Sequence, residues 1–201
     1  MSLHVAALIL AAGASRRYGS RNKLTERFAG KALVAHSVDA ALEAGLGPVH
    51  VVTGCEPDAV RDALSGRNIS FVHHAAYEQG MGSSLAAGVR SFGEFDGLSI
   101  MLGDMPAIRA THVRGVVEAF ANHYAQDGAE TICVASFEGR RGHPVVFGQA
   151  HQAALARLAG DQGAKTLLEA AADRVIEVSM SDDGILRDID RATDWPSPVT
   201  D

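Results

Sequence analysis

Short apolar runs alternate along this chain with longer stretches whose apolar residues recur at helical spacing. Val5–Leu10, His50–Thr53, Ile69–His73, Leu98–Leu102, Thr131–Ser136, Val145–Phe147 and Val175–Ser179 are rich in Val, Ile and Leu and read as strands. In Ala32–Ala44 the residues Val34, Val38, Ala41 and Leu42 share one face, and Gly45 follows as a helix stop. Glu56–Leu64, Ser83–Ser91, Thr111–Tyr124 and Gln149–Leu158 read likewise. This alternation implies right-handed crossovers, hence an α/β fold with a mainly parallel sheet and helices on both faces. Ligands of such sheets lie beyond the carboxyl ends of the strands. One domain over residues 1–201 is expected, and Trp195-Pro-Ser-Pro198 reads as a loose end.

The first strand breaks into Ala11–Gly19, residues too small and flexible to do anything but turn, and Arg16, Arg17, Arg21 and Lys23 follow. Such a turn offers backbone N–H groups beside positive charge, the requirement of a polyphosphate, so the segment reads as a nucleoside triphosphate cradle. A surface loop with solvated arginines is the alternative. The dinucleotide fingerprint does not fit, because the next glycine after Gly13 is Gly19; a Walker loop does not fit, because Ser20-Arg21 follows that glycine. A net charge of −6 argues against a nucleic-acid surface, so the cations are local. With 47% apolar residues disorder is not expected, and no apolar run approaches the roughly 18 residues of a membrane span. No secretion signal is evident, so the cytoplasm is the expected location. Cys55 and Cys133 stand far apart and read as packed apolar groups.

Leu98–Pro106 is a buried strand that runs into Gly103-Asp104. An acid there calls for compensation, and Mg²⁺ bridging phosphates is one source of it; capping the next helix or forming an Asx turn before Pro106 is the other reading. Near the C-terminus, Asp188 and Asp190 share one face of an extended segment while Ile189 faces oppositely. If Asp190 meets Asp104, the pair needs a divalent ion between them. Ser83 and Ser84 read as the start of a helix, either contacting a base edge or phosphate or serving as plain N-caps. Arg140-Arg141-Gly142-His143-Pro144 gathers cations in a rigid turn that either grips an acceptor or is an exposed basic turn. Gly160–Lys165 lines the acceptor side or places Lys165 in an ion pair with Asp161. His73 and His74 point to opposite strand faces and do not share a metal.

Leu10–Lys23, Gly80–Leu85, Leu102–Pro106, Arg141–Phe147, Gly160–Lys165 and Asp188–Asp190 together resemble the motifs of the MobA-like nucleotidyltransferases, and among them the MocA-type molybdenum cofactor cytidylyltransferases. The resemblance spans nearly the whole chain. It departs at Tyr18, Thr25-Glu26, Ala32 and Arg191-Ala192, none of them a proposed ligand residue. It implies a Rossmann-like sheet of the nucleotide-diphospho-sugar transferase type. It also implies a nucleotide site of Leu10, Ala11, Ala12, Gly13, Ser15, Arg17, Lys23, Gly82, Ser83 and Ser84, with Lys23, Arg17 and Asp104 catalytic. Mg²⁺ would sit on Asp104 and Asp190, and the acceptor on Arg141, Gly142, His143 and Pro144. The implied reaction moves CMP from CTP to the phosphate of molybdopterin or its metal-loaded form, with a molybdoenzyme or its chaperone taking the product. Ala12 favours CTP over GTP. Guanylyl transfer, a sugar- or polyol-phosphate acceptor, and a non-catalytic nucleotide-binding module are the alternatives.

Overall fold

A computed structural model describes residues 3–15, 18–19 and 21–195. The strands are β1 (Val5–Ala11), β2 (Arg27–Phe28), β3 (Lys31–Ala32), β4 (Val49–Thr53), β5 (Ser70–His73), β6 (Gly97–Leu102), β7 (Ile132–Phe137), β8 (Arg140–Gly148) and β9 (Val175–Ser179). The helices are α1 (Leu33–Glu43), α2 (Pro57–Ala63), α3 (Met81–Val89), α4 (Ala110–Asp127), α5 (Gln152–Leu155) and α6 (Lys165–Ala170). Seven strands form one sheet in the order β5-β4-β1-β6-β8-β7-β9, and β2 and β3 make a small separate ribbon. Within the sheet only β8 runs against its neighbours. Every strand expected from the sequence is present, within about one residue at each end except β8, which begins at Arg140 and not at Val145. The β2–β3 ribbon and α6 are too short for periodicity to mark them.

Burial on both faces explains why β1 and β6 read as continuous apolar runs. Ala7 and Ile9 of β1 pack under α1 and α4, while Ala6 and Leu8 face α3 and α5 on the other side, all at 0% exposure. Chain order reverses between β1 and β6, one strand leading outward to β4 and the other to β8. That reversal leaves a crevice at their carboxyl ends, where Ala12–Ser15 and Gly103-Asp104 emerge.

Two expectations about strands and tails change. Arg140–Pro144 is part of strand β8, entered through a two-residue turn at Glu138 and Gly139, both with positive φ. Val134 pairs with Val145 but Ser136 with Arg141, so β8 carries two extra residues, a bulge that accommodates Pro144 and its missing N–H in a central strand. Trp195 is docked: its indole N–H donates to the Tyr18 hydroxyl at 2.8 Å, and its ring stacks on Phe28 with centroids 5.5 Å apart. Among the described residues, no helix is long and apolar enough to cross a membrane.

Candidate active site

The loop after β1 bends back on itself. Ser15 adopts φ +51°, and its hydroxyl accepts the Lys23 N–H at 3.2 Å, which closes the loop. A non-glycine residue in the left-handed region costs about 1–2 kcal/mol, and such strain collects where backbone geometry serves a ligand. Asn22 caps the short turn Lys23–Thr25 by accepting the Leu24 N–H at 3.1 Å. Lys23 is thereby aimed inward, with a side chain only 10% exposed.

The Lys23 ammonium donates to Asp104 Oδ2 at 2.7 Å, to the Ile189 carbonyl at 2.6 Å and to Asp190 Oδ1 at 3.3 Å. Three acceptors match its three protons. Asp104 leaves the end of β6, and its carbonyl accepts the Ile189 N–H at 3.0 Å, which fixes the C-terminal segment beside the sheet. Ile189 is 2% exposed, so Asp188 and Asp190 emerge together on the opposite face. Carboxylate oxygens of Asp104, Asp188 and Asp190 lie within 4.8 Å of one another. Burial first, then the Asp104 charge, pushes Asp188 above the usual aspartate range; Asp190 adds to this and Lys23 opposes it. Three carboxylates and one ammonium leave a formal charge of −2 in the cluster. Asp104 neither caps a helix nor makes an Asx turn, since α4 starts behind Arg109, and Asp104 Oδ1 is buried without a hydrogen-bond partner. A buried bare carboxylate oxygen beside two further acids is a donor set for a hard divalent cation.

The cluster lies in a cleft of about 480 Å³, where Leu10, Ala11, Ala12, Gly13, Ser15, Lys23 and Ser84 all contribute wall, with Asp161 across from them. Arg21 does not: its side chain is 78% exposed and pairs with Glu26 at 3.2 Å. Arg16 and Arg17 lie outside the described residues. Gly82 and Ser83 do not reach the cleft either. The helix begins at Met81 behind Gly80, so Ser83 and Ser84 sit in its first turn and are not N-caps. The Ser83 hydroxyl donates to the Gly80 carbonyl at 2.7 Å. Gly82 donates its N–H to the Gly160 carbonyl at 2.7 Å, and a Cβ there would come within 2.8 Å of the Ala159 oxygen. Gly82 is small so that the 159–161 segment can cross the helix.

A second hollow of about 430 Å³ opens beside the first, with Leu85, Ile100, Val134, Val145 and Leu168 in its walls and Arg141, His143 and Lys165 at its polar edge. Burial pushes the His143 ring below the usual histidine range, outweighing the Ile100 carbonyl and the Asp104 and Asp188 charges, which raise it. Its Nδ1 lies 3.2 Å from the Ile100 carbonyl, which can only accept, so Nδ1 is the donor of that hydrogen bond. Arg141 pairs with Glu177 at 2.8 Å. Gly142 adjoins the hollow, but its missing Cβ has a packing reason, since one would collide with the Ile185 carbonyl of the segment leading to Asp188. Pro144 is buried in the bulge and forms none of the wall. Lys165 pairs forward with Glu169 at 3.7 Å, not back with Asp161. His74 Nε2 lies 3.1 Å from the Ser83 hydroxyl.

Residues 7–175 match the MobA-like NTP transferase domain. The chain belongs to that family. Among curated proteins, the bifunctional protein GlmU of Syntrophomonas wolfei is 29% identical over 142 residues, 70% of this chain but 31% of that protein. This member thus spans about a third of the length of the curated relatives it matches. Among solved structures, Rv0371c of Mycobacterium tuberculosis superposes with a TM-score of 0.80 at 26% identity, covering 96% of each chain. The same protein is known as a manganese complex, with a TM-score of 0.70 at 24% identity over 88% of each chain. A nucleotidyl transferase from Methanothermobacter thermautotrophicus shares the fold, with a TM-score of 0.82 at 24% identity over 95% of this chain and 94% of its own. The fold is therefore that of the nucleotidyltransferase sheets of this family, with the acid cluster at its strand crevice.

Asp188 escapes the pairing of Asp104 with Asp190 reasoned from sequence, although the i, i+2 alternation places it on the same face. Met81 and Asp161, which lie within the Gly80–Leu85 and Gly160–Lys165 motifs, also border the cleft, as do Tyr77 and Glu78, which no motif marks.

Proposed function

We propose that this chain transfers CMP from CTP to the terminal phosphate of a molybdopterin-type acceptor and releases pyrophosphate. The observation that carries the reading is the meeting of Asp104, Asp188, Asp190 and Lys23 at the glycine-bearing loop, where the cleft adjoins an apolar hollow. The choice of CTP rests on the Leu-Ala-Ala-Gly start at Leu10–Gly13. The choice of acceptor rests on the motif resemblance and on the aliphatic walls of the second hollow, which suit a fused ring better than a sugar or polyol rich in hydroxyls.

Asp104, Asp188 and Asp190 would hold a divalent ion, Mg²⁺ in this reading, and the buried bare oxygen of Asp104 together with the −2 cluster fits it. The manganese complex of Rv0371c supports such an ion. Bound there, it would neutralise charge on the phosphate oxygens. The chain's own groups do the rest. The Ala12–Ser15 backbone lines the cleft and would supply N–H groups to a triphosphate, and Lys23 ties that loop to Asp104 and Asp190, so the two sides of the cleft keep one spacing. The acceptor phosphate is already ionised and needs no general base. With Nδ1 donating to the Ile100 carbonyl, the neutral form of His143 would leave Nε2 to accept a hydrogen bond from a ring N–H of the acceptor. An acceptor oxygen bonds to the α-phosphorus, the bond to the bridging β-phosphate oxygen breaks, and pyrophosphate leaves. Catalysis is then positioning and charge stabilisation.

The test is a panel of CTP, GTP and ATP with molybdopterin, and of CTP with sugar and polyol phosphates, scored by pyrophosphate release. CTP with molybdopterin is expected to lead. Preference for GTP, or transfer only to a polyol phosphate, would overturn the reading.

A further inference from the structure

Three side chains, Leu10, Leu102 and Met81, border both the acid-bearing cleft and the apolar hollow. Leu10 and Leu102 are register partners on the adjoining strands β1 and β6, so they stand side by side on one sheet face. Met81 comes from the opposite wall, in the first turn of α3, and at 48% exposure it is the exposed large hydrophobic residue among those described. Its backbone does not drift, because the next residue is bonded to the Gly160 carbonyl at 2.7 Å. Its thioether reaches the 160–163 segment, where a Cβ on Gly163 would lie 3.2 Å from Met81 Sδ. The three residues form an apolar collar at the passage between the two hollows, and Asp104 follows Leu102 by two residues.

We propose that Met81 is a specificity-determining residue that completes this collar and favours the acceptor over water as the nucleophile. This inference rests on the transfer reading above. Under that reading the acceptor oxygen meets the α-phosphorus at the passage. Water arriving by the same path would form the same phosphorus–oxygen bond, lose a proton to solvent and release CMP and pyrophosphate. Both nucleophiles are oxygens and both leaving groups are pyrophosphate, so the acid–lysine cluster does not tell them apart. Exclusion of water does. A thioether is long, adaptable and a poor hydrogen-bond acceptor, so it closes on a bound ligand while giving water no foothold.

The test compares wild type, Met81→Leu and Met81→Ser for CMP formed by hydrolysis against CMP transferred to molybdopterin. Met81→Ser is expected to raise the hydrolysis-to-transfer ratio about tenfold, and Met81→Leu to stay within about twofold of wild type. An unchanged ratio in Met81→Ser, or an equal rise in Met81→Leu, overturns the proposal. A second readout is peroxide footprinting of Met81, in which Mg²⁺-CTP should slow sulfoxide formation at least about fivefold. Absence of protection overturns the proposal. If no acceptor takes CMP but Mg²⁺-CTP shields Met81 and hydrolysis rises in Met81→Ser, the acceptor assignment falls and with it the preference for acceptor, while the exclusion of water by Met81 stands.

Discussion

Asp104→Asn separates a metal-binding acid from a merely structural one. Truncating a partner of a buried ion pair ordinarily costs about 3–5 kcal/mol, and Asp104 is paired with Lys23 at 2.7 Å. Here that cost is offset. At an effective dielectric of about 20, the attraction to Lys23 amounts to about 6 kcal/mol. Asp188 and Asp190 lie within 4.8 Å, and each repels Asp104 by about 3.5 kcal/mol or more, so attraction and repulsion nearly cancel. Lys23 also keeps the Ile189 carbonyl and Asp190 as acceptors. The variant should therefore unfold within about 2 kcal/mol of wild type in denaturant, while turnover falls about a hundredfold to a thousandfold. Mg²⁺ at a hundred times its Kd should stabilise wild type by about 2.7 kcal/mol, or about 5–10 °C in Tm, and should leave Asp104→Asn unmoved. A loss of more than about 3 kcal/mol, with Mg²⁺ still raising Tm, would refute this electrostatic argument.

Other consequences are open to equally direct checks. Gly142→Ala should displace the Ile185 backbone and weaken Mn²⁺ binding about tenfold or more although Gly142 holds no metal; an unaltered Mn²⁺ titration would contradict the packing role. Burial alone would raise Asp182, but the Gly184 N–H, His112 and Arg109 outweigh it and hold the carboxyl at about 2, down from 3.8. A depressed folded value gives stability that is present above about pH 4 and lost as pH falls toward 2, so acid melts of Asp182→Asn should lack part of that loss. Trp195 is the only tryptophan and its indole touches Tyr18 of the phosphate loop, so saturating CTP should shift its emission, less so in Tyr18→Phe; an unresponsive spectrum would detach the loop from the nucleotide.

The mainly parallel sheet and the crevice at its strand ends follow from patterns that local sequence carries; the strand order and the antiparallel β8 do not. Val5–Ala11 and Gly97–Leu102 are apolar on both faces because both faces are covered, and small residues or Gly103-Asp104 mark where each strand must end. Less legible were roles that depend on remote backbone. Gly82 and Gly142 look like ligand-binding glycines in sequence, yet each is small because a carbonyl from a distant segment, at Ala159 or Ile185, comes close. Arg140–Pro144 reads as a rigid basic turn, yet it is the start of β8, where the His143 ring sits against the Ile100 carbonyl. Asp188 was visible on the face of Asp190, but only the bond from Ile189 to Asp104 brings three acids together where two were expected. Trp195 reads as part of a polar, proline-rich tail because its partners Tyr18 and Phe28 are far away in the chain.

The most direct measurement is Mn²⁺ binding followed by electron paramagnetic resonance on wild type, Asp104→Asn, Asp188→Asn and Asp190→Asn, with and without CTP. One site in wild type, tightened by CTP and lost or severely weakened in all three variants, is the predicted result. Equal Mn²⁺ binding by wild type and all three variants would contradict the claim that these acids form the metal site of a nucleotidyltransferase.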